Sequence, residues 1–207
     1  PKDIDRMITA VDCSTIRLKD VILPEYFISY TMTSTYSAQI NEVTTGTTRR
    51  RVSRANLGNV LVPCPSLEAQ RQFVAISQQA DKSKFVGFKS RFIEMFGECQ
   101  RKEKLSSLCE TFIDGDWIES KDQSEDGIRL VQTGNVGYGY FKDKEDKSRY
   151  ISEETFNRLH CTEIFAGDIL VSRLPDPIGR ACIIPEGIGR MITAVDCSII
   201  RLKDIIL

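Results

Sequence analysis

The stretch "TTGTTRRRVSRANL" holds four arginines within six residues, Arg49, Arg50, Arg51 and Arg54, and no acid interrupts them. A guanidinium stays charged at any ordinary pH and presents a planar fork of donors, which suits it to phosphate and carboxylate groups. The formal net charge of the chain is only −1, so any attraction for a polyanion must come from such a local patch. A solvated strand end or loop accounts for the same residues equally well when they are taken alone.

Catalytic chemistry is harder to find. In "GNVGYGYF" the glycines Gly134, Gly137 and Gly139 do not follow G-x-G-x-x-G, and tyrosines stand where a phosphate cradle wants small residues, so it reads as a turn. Asp176 and Glu186 in "LPDPIGRACIIPEG" are spaced like the acids of a metal-dependent nuclease. Ile188, however, occupies the place where a lysine is needed, and a hairpin is the better reading. There is no G-x-S-x-G and no [DN]-P-P-[FY], and His160 is the only histidine available to activate a nucleophile. It follows the helical-looking "SEETFNRLH" and is expected to be structural or exposed. The carboxylates of "FIDGDW" and "KDKEDKSR" read as solvated loop charges. No catalytic residue is assigned, and no enzyme activity is expected of this chain.

Metal and redox roles are equally unsupported. The seven cysteines, at 13, 64, 99, 109, 161, 182 and 197, are spread singly without C-x-x-C, so no metal site and no disulfide framework is expected. They are read as small buried apolar residues. With 41% apolar and 28% charged residues, the 207-residue chain has the make-up of an ordinary globular protein, which excludes the disordered and fibrous classes. No apolar run approaches the roughly 20 residues that span a bilayer, and "PKDIDRMITA" lacks a signal-peptide pattern. A cytoplasmic location, away from membranes, is the expectation.

The elements that would position the arginines follow from periodicity. Short β-rich stretches at 8–13 and 15–22 predict two strands joined by a turn near Cys13 and Ser14. Pro24 opens a pattern in which Tyr26 and Tyr30, then Met32, Tyr36 and Ile40, step by four, which predicts a helix over 24–42. After the basic stretch, "LGNVLVPCP" predicts a short buried strand. Ser66 then caps a long helix over 66–100, in which Ala69, Phe73, Ile76 and Ala80 make a coiled-coil seam for pairing with a second helix. The alternative is an amphipathic helix packed on its own domain. Residues 101–207 read as mostly strand, with turns at Gly, Asp and Pro and a short helix near "SEETFNRLH".

One pattern overrides these local readings. "RMITAVDCSTIRLKDVIL" at 6–23 recurs as "RMITAVDCSIIRLKDIIL" at 190–207, differing only at Thr15 against Ile199 and Val21 against Ile205. The offset, 184 residues, is the size of a domain and not of a solenoid repeat.

A resemblance gives this repeat a meaning. "NVLVPCPSLEAQRQFVAI" resembles the passage from a target-recognition domain into the long helix of type I restriction–modification specificity subunits, and "KSRFIEMFGE" is similar to the end of that helix. "KLSSLCETFIDGDW", "GIRLVQTGNV", "RYISEETF", "GDILVSR" and "IGRACIIPEG" are similar, in order, to the opening half of a recognition domain. The resemblance implies an α+β chain: residues 1–65 as the back half of a target-recognition domain, 66–100 as the spacer helix able to form an antiparallel coiled coil, and 101–207 as the front half of a mostly β domain with short helices. The duplicated segments are then the same strands of two domains. If front and back halves close together, only one copy can fill the shared strand slot; the other is displaced, packed elsewhere, or swapped into a partner to make a homodimer.

The implied function is sequence-specific binding of double-stranded DNA without catalysis. Modification (methyltransferase) subunits using S-adenosylmethionine, and restriction subunits using ATP, are the implied partners, with no cofactor in this chain. On that reading Arg49, Arg50, Arg51 and Arg54 neutralise phosphates, while amide and hydroxyl groups read base edges. The candidates are Thr45, Thr47 and Thr48, then Gln132, Thr133 and Asn135 in "VQTGNV", then Ser172 and Arg173 in "VSR". Turn and strand-end roles are the alternative for each of them. Whole subunits of the family carry two domains and two helices, so one helix and two half-domains leave open a rival role: a scaffold that pairs helices without reading DNA.

Overall fold

A computed structural model describes residues 8–18, 21–47, 50–79, 85–175, 177–194 and 196–201. The fold is mixed α and β. Eight strands, β1 (Ile8–Leu18), β4 (Cys109–Gly115), β5 (Ile128–Val131), β6 (Arg149–Ile151), β7 (Ile169–Ser172), β8 (Ala181–Ile183), β9 (Met191–Thr193) and β10 (Cys197–Arg201), make one sheet in the order β6-β5-β9-β1-β4-β10-β7-β8. A separate antiparallel pair joins β2 (Leu61–Pro63) to β3 (Lys102–Lys104).

The helices cover one face of the larger sheet, and the strand periodicity shows how. On β7, Ile169 and Val171 face the helical core, whereas Leu170 joins a second core with Val131, Cys182, Met191 and Cys197 on the other face. Successive side chains of a strand point to opposite faces, and here both faces are covered, so all four positions of β7 are buried. The same alternation sends Ala181 and Cys182 of β8 into different cores.

The helix expected over 24–42 is two helices, α1 (Pro24–Thr31) and α2 (Ser34–Glu42). The break has a local cause: Thr33 leaves the helical conformation and its Oγ1 accepts from the Tyr36 backbone N–H at 3.2 Å, capping α2. Pro24 stands at the start of α1, where its missing N–H costs nothing.

The single long helix is also corrected. The described residues contain α4 (Leu67–Gln79) and α5 (Phe85–Phe96), and these fold against each other. Phe73 and Phe92 would stand about 28 Å apart on one straight helix at 1.5 Å per residue. Their ring centroids are 5.1 Å apart, with Phe96 at 5.4 Å and Tyr26 at 6.1 Å from Phe73. Phe73 therefore lies inside the domain core, and the seam is not a continuous outward stripe: Ala69 packs at the core margin, Ile76 is 43% exposed, and Ala80 lies outside the described residues. Burying the rings of this amphipathic stretch on its own domain outweighs keeping it extended without a partner.

Chain segments on either side of the helices share one core. Tyr26, Tyr30 and Tyr36 from α1 and α2 pack in the same cluster as Leu105, Leu108, Ile169 and Val171. Leu105 N–H donates to Val60 O at 2.8 Å, Ser106 Oγ to Gly58 O at 2.9 Å, and Tyr138 OH to Met32 O at 3.4 Å. Gly179, with φ +81, brings the β7–β8 loop onto α2, and a Cβ there would meet Ile40 at 3.0 Å and Tyr36 at 3.1 Å.

Both copies of the repeat enter the sheet. The second supplies β9 and β10, and β10 lies between β4 and β7. The first is one strand, β1, and the turn expected near Cys13 is replaced by a register irregularity against β4 between Ala10 and Thr15. Thr15 and Ile16 stand opposite Ile113 and Phe112 of β4, and their repeat equivalents Ile199 and Ile200 stand opposite the same two residues. Ile8 and Thr9 also run parallel to and in register with their own equivalents, Ile192 and Thr193. Two nearly identical segments thus address the same strand at the same residues, and the first copy is packed elsewhere in the sheet, between β9 and β4.

Candidate nucleic-acid interface

β5 and β9 are parallel, with Leu130 opposite Ile192 and Val131 opposite Thr193, so both leave the sheet on the same side. They deliver Gln132 from one and Ala194 and Asp196 from the other to the rim of a cleft of about 430 Å³, which Arg51 and Leu174 also line. The three loops singled out in the sequence, around Arg51, Gln132 and Arg173, therefore end at one place.

The arginine loop is tied at its base. Thr45 and Arg51 exchange two backbone hydrogen bonds of 2.9 Å, and Gly46, at φ +97, supplies the left-handed turn between them. Val52 is fully buried and its N–H donates to Arg173 O at 3.3 Å, which fastens the loop to the end of β7. Thr45, Thr47, Arg50 and Arg51 are exposed, while Thr48 and Arg49 lie outside the described residues. Arg54 opens α3 (Arg54–Gly58) after the Ser53 cap, exposed, with its Nε 3.9 Å from Asp114 Oδ2. An exposed pair at that distance is worth well under 1 kcal/mol, about the weakest class of ion pair.

The opposite wall is organised by Arg180, which is buried. Its guanidinium donates to the carbonyls of Thr133 and Val136 at 2.8 Å and of Leu174 and Pro177 at 3.0 Å. One side chain thus clamps the "VQTGNV" turn to the β7–β8 loop. Gln132 and Asn135 brace that turn reciprocally: Asn135 Oδ1 accepts from Gln132 N–H at 3.0 Å, and the Gln132 side chain accepts from Asn135 N–H.

Three of the sequence-predicted residues are buried. Ser172 is fully buried and its Oγ donates to Leu174 O at 3.1 Å; Arg173 is 6% exposed and its Nη1 meets Asp114 Oδ1 at 3.1 Å. Asn135 is 9% exposed and its Nδ2 donates to Lys142 O at 3.0 Å. These groups shape the loops instead of facing solvent, because a polar side chain at a strand end is drawn to the backbone groups that the turn leaves open. Gln132 lines the cleft and Thr133 is half-buried beside it.

Sequence reading missed Trp117, Gln123 and Arg149, which line the same cleft. Trp117 is the only tryptophan in the chain, a signal that was present in "FIDGDW" but set aside with its carboxylates. It is 56% exposed, and its Nε1 donates to Glu119 Oε1 at 3.2 Å. Lys121 Nζ lies 2.7 Å from Glu119 Oε2, and the hydrogen bonds from Lys121 and Trp117 hold that carboxyl below the usual range. Arg149 Nη1 reaches Gln123 Oε1 at 3.5 Å.

The arrangement offers cations, amides and an aromatic face. Burial pushes the Cys64 thiol up to about 11 and those of Cys161 and Cys197 up to about 12, which keeps them protonated and unreactive at neutral pH. His160 sits exposed just beyond the C-terminus of α6 (Glu153–Arg158), at φ +50. Among the described residues no group of His, Cys, Asp and Glu could hold a metal ion, and no helix is long and apolar enough to cross a membrane. Neither the protein-family models nor the curated proteins compared with this chain match it.

Proposed function

We propose that this chain is a non-catalytic, sequence-specific DNA-binding element of the kind found in the specificity subunits of type I restriction–modification systems. The observation that carries the reading is the convergence of the arginine loop, the "VQTGNV" turn and the β7–β8 loop on one cleft. Exposed Arg50, Arg51 and Arg54 supply phosphate contacts that set orientation, and Thr45, Thr47, Thr133 and Gln132 supply polar groups for base edges. The reading places the protein in the cytoplasm, with modification and restriction subunits supplying the chemistry and holding S-adenosylmethionine and ATP.

The test replaces Arg49, Arg50, Arg51 and Arg54 together with alanine and measures duplex binding across a salt series. Each phosphate that is no longer neutralised should reduce the slope of log K against log salt by about 0.9, and affinity should collapse at low salt. Unchanged affinity and slope would favour a scaffold that associates through α4 and α5 without reading DNA.

A further inference from the structure

The cleft holds an aromatic side chain that ordinary surface roles do not explain. Trp117 is the largest side chain available, yet it stays more than half exposed. It is nevertheless held in place, because Glu119 fixes its Nε1 and Lys121 fixes Glu119. Around it stand two amides, Gln123 and Gln132, and two guanidinium groups, Arg51 and Arg149. The Gln132 amide is oriented by its bond from Asn135 N–H, and the turn that carries it is clamped by Arg180. Two acids, Glu119 and Asp196, also line the cleft, and the first is neutralised by Lys121.

We propose that this cleft takes a single nucleotide whose base has left the helical stack. The indole of Trp117 lies against the base face, Gln123 and Gln132 meet its edge, and Arg51 and Arg149 meet the adjoining phosphate. A base inside a duplex has both faces covered by its neighbours, so an indole platform is useful only to a base that is unstacked. The paired arginines select an anionic ligand over a neutral sugar, and the amides supply both donors and acceptors for a base edge. At about 430 Å³ the cleft falls within the range of small-ligand sites, roughly 300–1,000 Å³. The proposal rests on the DNA-binding reading and adds to it a preference for locally distorted or unpaired DNA.

Because Trp117 is the sole tryptophan, its emission reports on this position alone. The full chain is titrated at low salt with three labelled probes: a fully paired duplex, the same duplex with a one-nucleotide bulge, and a single strand. Anisotropy reads binding and tryptophan emission reads the cleft. The bulged and single-stranded probes should quench the emission. Trp117→Ala should weaken both by roughly 5- to 150-fold, the range for one base stacked on an aromatic side chain. Trp117→Phe should restore most of the loss. Saturating binding with unchanged emission, or parent affinity in a folded Trp117→Ala variant, would overturn the nucleotide site and leave the DNA-binding reading standing. If no probe binds the folded parent chain, both fall.

Discussion

Phe73 decides between a projecting spacer helix and a helical hairpin folded onto its own domain. Its side chain is fully buried and packs edge-on against Phe92 at 5.1 Å and an interplanar angle of 87°, and against Phe96 at 5.4 Å and 71°. Replacing a buried phenylalanine with alanine costs about 3–5 kcal/mol, and removing these edge-on ring pairs pushes Phe73→Ala toward the upper part of that range. Stabilities of domains lie at about 5–15 kcal/mol, so this one change removes a large part of the total. At a urea m value of about 2 kcal/mol/M, a loss of about 4 kcal/mol lowers the unfolding midpoint by about 2 M. The control is Ile76→Ala, three residues along the same predicted seam but 43% exposed, which should cost no more than about 1 kcal/mol. Urea titrations followed by helical circular dichroism measure both. Similar small losses at Phe73 and Ile76 would refute the packing argument and restore the extended seam.

Two further outcomes follow from other parts of the fold. Asp122 is buried, Arg158 Nη2 donates to its Oδ1 at 2.7 Å, and that bond holds its carboxyl below the ordinary value of 3.8. A depressed folded pKa stabilises above the unfolded value and loses that stabilisation as pH falls through the folded one. Asp122→Asn should therefore lower the urea midpoint at pH 7 and flatten its decline in acid; an unchanged pH profile would remove Asp122 from that account. Deleting residues 190–207 removes β9 and β10 and opens the sheet between β4 and β7. Cooperative unfolding should be lost. A deleted chain that still unfolds cooperatively as a monomer in sedimentation would show that the first copy has taken the vacated slot.

The sequence by itself determined the mixed α and β character, most strand positions, the entry to α1 at Pro24, the burial of Cys64, Cys109, Cys161, Cys182 and Cys197, and the duplicated segment. These rest on period, capping and composition, which act over a few residues and are written in the chain. It also marked three loops of the cleft, because clustered arginines and polar turns stand out locally.

Tertiary structure alone decided the rest. Whether Phe73 faces a partner helix or its own domain depends on Tyr26, Phe92 and Phe96, which lie far from it in sequence. Ser172, Arg173 and Asn135 read as surface groups by type, yet backbone carbonyls and Asp114 were the partners that claimed them. Trp117 joined the cleft only when the parallel bridge of Asp116 with Ala194 set the end of β4 beside the end of β9. The two repeat copies carry nearly the same letters, and their positions differ only in their neighbours in the sheet, β7 beside β10 and β9 beside β1. Local preference is set by each residue and its near neighbours, whereas the free energy of burial is shared among residues that meet only after the chain has folded.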